Sequence, residues 1–97
     1  MKDVPKELQE KVRKYFLMVA WWHIYEEEKG MEDKLVKVLK KIEQTEDELR
    51  VSGIKNEVFD EVMEKVKNFV NMKTGEMTDA QLLTACKLIF GQQMEYA

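Results

Sequence analysis

The chain is poor in the residues that build most small functional sites: one cysteine, one proline, one histidine and four glycines in 97 residues. A single cysteine, Cys86, excludes an internal disulfide and a cysteine-based zinc site. It also suits a reducing compartment, so a cytoplasmic location is expected. So few glycines and prolines leave too little turn chemistry for a many-stranded sandwich. The glycines stand alone at 30, 53, 75 and 91, and neither phosphate-cradling loop spacing occurs. Long apolar runs are missing too. The longest, Tyr15 to Tyr25, is eleven residues interrupted by His23, whereas a bilayer span needs about 20. The start, Met1-Lys2-Asp3-Val4-Pro5-Lys6-Glu7, is polar and carries acid, so no secretory signal is expected.

What is present is a helix-forming mixture. Hydrophobic residues make up 44% and charged residues 36%, which is too apolar for a disordered chain. The length suits a single helical domain over residues 1–97. Charge is evenly spread, with 11 basic and 12 acidic residues in the first fifty and 5 and 7 in the remainder. Neither end is a charged tail.

Apolar spacing predicts four helices, at about 5–28, 32–50, 54–70 and 79–92, in an all-α antiparallel or irregular four-helix bundle. In the first, Leu8, Val12, Tyr15, Val19 and Trp22 share a face, and Gly30 is a plausible stop. Leu35, Val38, Leu39 and Ile42 form the inner row of the second. Its end is open, because Thr45-Glu46-Asp47-Glu48 has capping-box spacing while an uninterrupted helix to Arg50 is equally allowed. After Ser52-Gly53 the third carries Ile54, Val58, Val62, Val66 and Phe69, with Phe59 and Val70 beside them. Asn71 to Gly75 reads as a turn. Thr78 and Gln81 then make the strongest local start signal, with Met77 and Leu82 as its staple. Leu82, Cys86 and Ile89 form the inner row of the fourth, flanked by Leu83, Phe90 and Met94. Gly91 weakens the last turn, so the end of the chain is expected to fray.

The usual constellations for chemistry fail on inspection. His23 with Glu26 and Glu27, or Glu57, Asp60, Glu61 and Glu64, have helical metal-ligand spacing. A carboxylate-bridged di-metal bundle, however, needs two histidines in the order Glu-x-x-His. Cys86 falls in an apolar row, where a thiol is inert, and only His23 could serve it as a base. Between Asn71 and Asp79, Lys73 and Gly75 stand where a calcium loop requires oxygen ligands. No catalytic residue, metal or cofactor is therefore assigned, and the chain is expected not to be an enzyme.

Two surfaces are left. Lys34, Lys37 and Lys41 share a face of the second helix with Lys40 beside them, which would let a small helical protein touch nucleic-acid phosphates. Only two arginines and a net charge of −3 place that reading second. Gln81 would be the base reader of a helix-turn-helix, but the link before it is too long for that motif. The first helix is more informative. From Tyr15 to Tyr25 it is apolar around its whole circumference, while an outer helix of a small bundle should bury one face. With Tyr15, Val19 and Trp22 facing the core, Leu17, Trp21 and Ile24 form another row, and Met18 and Tyr25 lie between. Leu17, Trp21, Trp22, Ile24 and Tyr25 are accordingly the candidate partner-binding residues of a non-catalytic interaction or regulatory module. The partner is a protein or a second copy, as in a homodimer. The adjacent tryptophans are expected to differ, with Trp22 supporting the fold and Trp21 supporting association.

Overall fold

The computed structural model describes residues 4–91. Helix α1 spans Lys6–Glu26, α2 Glu32–Arg50, α3 Asn56–Lys65 and α4 Asp79–Phe90, with a 3₁₀ turn at Val66–Asn68. No strand occurs among the described residues; an isolated bridge joins Asn71 and Glu76. The all-α four-helix bundle expected from periodicity is the architecture found. The expected fraying beyond Gly91 and the flanking place given to Met94 fall on residues 92–97, outside the described residues.

Pro5 precedes α1, and its carbonyl accepts from the Leu8 and Gln9 amides at 3.0 Å each. Proline suits that place because its missing amide would have no partner there. The helix stops at Glu26, earlier than expected, and Gly30 then turns the chain at φ +79°. α2 runs unbroken through Thr45, so the potential restart is not used. Ile42, Thr45 and Leu49 are buried on one face, and the Thr45 hydroxyl donates back to the Lys41 carbonyl at 2.9 Å. Burial of that row against α1 outweighs the local competition from the hydroxyl.

The third helix is shorter than its periodicity predicts. Gly53 at φ +88° and an extended Lys55 delay its start to Asn56. At Val66 it tightens, and the Phe69 and Val70 amides both bond to the Val66 carbonyl. That change of pitch keeps Val66, Phe69 and Val70 in the core and places the Phe69 ring 5.3 Å from Phe16. The start of α4 is as expected: the Gln81 amide donates to the Thr78 hydroxyl, and the Thr78 amide donates to the Gln81 side-chain oxygen. Met77, Leu82, Cys86 and Ile89 are buried. Leu39 departs from expectation and is exposed, because it stands at the margin of its helix's inner row; Leu83, expected beside the inner row of α4, is exposed too.

α1 is the hub. It packs on α2, α3, the 3₁₀ turn and α4, and α3 and α4 also meet. Tyr15 bonds to Glu46 and Tyr25 lies under Lys34; residue numbers that rise on one helix as they fall on the other make α1 and α2 antiparallel. Tyr15, Phe16, Val19 and Ala20 are fully buried. Much of the aromatic stretch is therefore consumed by the chain's own core.

Besides Thr45, the Tyr15 side chain carries a polar group into that core. The Tyr15 hydroxyl donates to the Glu46 carboxylate at 2.8 Å. Arg50 approaches Glu46 at 3.6 Å and Asp47 at 2.6 Å and lies over the Phe59 ring. Burial, then the bond to Glu46, pushes the Tyr15 pKa well above the usual tyrosine value. The sign of the consequence follows from proton linkage. The folded chain holds this proton more tightly than the unfolded chain, so its stabilising contribution is complete below the ordinary tyrosine pKa and fades as pH rises above it. Tyr15→Phe should cost about 1–2 kcal/mol at neutral pH. From about pH 10 upward, wild type should lose up to about 1.4 kcal/mol per pH unit more than the variant. Denaturant unfolding across alkaline pH checks this; parallel curves would remove Tyr15 as the source.

Candidate functional site

The flank of α1 that faces away from the aromatic core forms one wall of a groove of about 450 Å³, closed on the other side by α2. Leu17, Met18, Trp21 and Tyr25 from α1 and Val38 from α2 supply apolar lining, and Glu10, Arg13, Lys14 and Lys41 supply charge. Residues Leu17, Trp21 and Tyr25 share this flank because positions four apart in a helix lie one above the other.

The sequence-predicted residues separate here. Leu17, Trp21 and Tyr25 are brought together in the groove. Trp22 is not among them. It is half-buried, packs against the core and meets His23 edge-on at 5.1 Å. Ile24 lines a different and more polar cleft, with His23, Glu26, Glu27, Lys67 and Met72. Of the lysines, Lys41 lines the groove and Lys34 lies over the Tyr25 ring at 5.5 Å from its centre. Lys40 is turned about 120° from Lys34 around the helix. The four lysines therefore do not converge on a single point, although all are exposed.

Trp21 is 37% exposed yet anchored. Its ring lies 5.4 Å from that of Tyr25. On another side it meets Gly75, where a β-carbon would come within 2.5–2.8 Å of three indole atoms. The loop that carries Gly75 is held by Asn71, whose side chain accepts from the Lys73 amide at 2.9 Å. The Asn71 carbonyl also accepts from the Gly75 amide at 2.7 Å. Arg13 joins the loop to α1 by donating to the Met77 carbonyl and to Asp79, each at 2.8 Å. Sequence reasoning missed Gly75, Arg13, Lys14, Met18 and Val38 as parts of this site. For Lys14 and Met18 a signal existed, since they follow the same helical spacing as Leu17, Trp21 and Tyr25. For Gly75 there was none.

Chemistry is sparse elsewhere. His23 Nε2 lies 3.1 Å from the Met63 carbonyl, and a carbonyl only accepts, so Nε2 carries the proton. Nδ1 is then left facing Glu26 at 3.6 Å. Among the described residues no three His, Cys, Asp or Glu side chains are placed to hold a metal ion. The Cys86 thiol is buried, and desolvation pushes its pKa up to about 11 despite the nearby Arg13 charge. Gln81 is committed to its helix cap. Among the described residues, no helix is long and apolar enough to cross a membrane. Compared with protein-family models, curated proteins and solved structures, the chain gives no match.

Proposed function

We propose that the protein is a non-catalytic interaction module that docks another polypeptide in the groove between α1 and α2. One observation carries this reading: Leu17, Trp21 and Tyr25 line an open groove on α1 while the opposite side of the same helix is fully buried. Aromatic residues held rigidly at the mouth of a concave apolar surface are the usual anchors of protein recognition, because they bury large area at low entropic cost. Trp21 meets that description, being fixed by Gly75 and Tyr25 and still accessible.

Parallel affinity capture with wild type, Trp21→Ala and Lys40→Glu, quantified by mass spectrometry, tests the proposal. Loss of an anchor should weaken the captured partner by about 2 kcal/mol, roughly thirtyfold. Lys40→Glu, away from the groove, should leave capture unchanged. Sedimentation equilibrium of the same proteins shows whether the partner is a second copy: a concentration-dependent mass that Trp21→Ala abolishes would make the module a homodimer. Identical captured sets and identical masses for all three proteins would overturn the groove reading.

A further inference from the structure

The charges around the groove do not cancel. Arg13 and Glu10 lie 3.9 Å apart, and Arg13 is further occupied by Asp79 and the Met77 carbonyl. Lys14 and Lys41 also line the groove, and Lys34 lies over Tyr25 at one end. Among the described residues, no carboxylate forms an ion pair with any of these three lysines. The apolar lining is thus flanked by three lysines without an ion-pair partner among the described residues, on a chain whose net charge is −3. On α3, Glu57, Asp60, Glu61 and Glu64 are all exposed. A negative partner would be repelled there and drawn to the groove.

Leu17, Trp21 and Tyr25 recur every four residues, so the apolar row rises about 12 Å along α1, or roughly two helical turns. A short amphipathic helix presents apolar anchors over the same distance. We infer that the groove takes an acidic amphipathic helix, its apolar stripe seated on Leu17, Trp21 and Tyr25 and its carboxylates on Lys14, Lys34 and Lys41. This rests on the reading of the groove as a polypeptide-docking surface and adds the chemistry of the occupant. A nucleic acid fits less well. Leu17, Met18 and Val38 offer no side-chain donor or acceptor to a base edge.

The probe is a displayed library of peptides of about 15 residues with a fixed apolar stripe at helical spacing. Its flanking positions are drawn equally from Glu, Lys, Gln and Ser. Selection on the folded, full-length protein should enrich Glu, and selection on the Lys14→Glu/Lys41→Glu variant should enrich Lys. Both lysines are exposed, so the double variant keeps its fold, which thermal unfolding verifies. The best acidic peptide should bind the double variant at least about tenfold more weakly, with the difference shrinking as salt is raised. Enrichment of Gln, Ser or Lys on wild type would overturn the acidic partner, yet leave the groove reading standing if those peptides lose affinity for Trp21→Ala. Peptides that bind Trp21→Ala as tightly as wild type, or no enrichment over an unrelated protein, would overturn both. A thymidine oligonucleotide that outcompetes the selected peptides would overturn the inference in favour of nucleic acid.

Discussion

Phe16→Ala should cost about 3–5 kcal/mol of folding stability, the full price of emptying a large aromatic site. The ring is completely buried. It makes edge-to-face pairs with Tyr15 at 6.0 Å and with Phe69 at 5.3 Å, geometries that add to the simple burial of area. Tyr15 cannot collapse freely into the void, because it is held by Glu46 and also packs edge-on against Phe59. Trp22→Ala should cost less, about 2 kcal/mol, since the indole is half-buried and keeps part of its hydration in the folded state. The sequence placed Trp22 in the core-facing row, and it does pack against the core, but only half-buried. Chemical denaturation of both variants at neutral pH compares them directly. Total stability of a domain this size is only about 5–15 kcal/mol, so Phe16→Leu provides a milder variant should the alanine chain not fold. A smaller loss for Phe16→Ala than for Trp22→Ala would place the centre of the core on the wrong side of α1.

Gly75→Ala should destabilise the chain by about 2–4 kcal/mol through two separable effects. Gly75 adopts φ +68°, a left-handed conformation that costs an L-residue about 1–2 kcal/mol. The added methyl would also come within 2.5–2.8 Å of the Trp21 indole. Because Trp21 is partly exposed, the ring can swing outward, but only by giving up its contact with the loop and its place beside Tyr25. A double-mutant cycle separates the two effects. In a Trp21→Ala background the steric part is absent, and Gly75→Ala should then cost only the backbone part. Equal costs in both backgrounds would show that the indole does not rest on this loop. The same substitution bears on function: displacing Trp21 disturbs the groove, so Gly75→Ala should weaken partner binding although residue 75 does not line it.

Legibility in the sequence followed the range of the interaction. The Thr78–Gln81 cap was readable because both residues lie within one helical turn and satisfy each other's amides. The inner row of α4 was readable because burial repeats with the helical period, whereas the row read for the third helix overruns α3, with Val58 half-buried and Val66 in the 3₁₀ turn. The uninterrupted course of α2 was not, since Thr45 is a credible cap or a tolerated interior residue until the burial of Ile42 and Leu49 beside it is known. Leu39 was misplaced for a similar reason. Periodicity locates an apolar stripe but not its edge, and the edge depends on how closely the neighbouring helix approaches.

By itself the sequence determined four helices, their approximate limits, the burial of Cys86 and an aromatic first helix too apolar for a single buried face. These are properties of spacing along one segment, and local geometry is enough to express them. The spacing also set Leu17 and Trp21 apart from Tyr15 and Val19; only the tertiary structure decided what stands against each flank of α1. Tyr15 and Phe16 immediately precede Leu17 in the chain and are chemically little different from its aromatic companions Trp21 and Tyr25. What separates them is position around the helix relative to Phe59, Phe69 and Glu46. Likewise Trp21 and Trp22 are neighbours of identical type, yet one rests on Gly75 at the mouth of a groove and the other packs toward the core beside His23. Those partners lie on other elements, brought close only when the bundle closes, and no pattern within α1 encodes where they arrive.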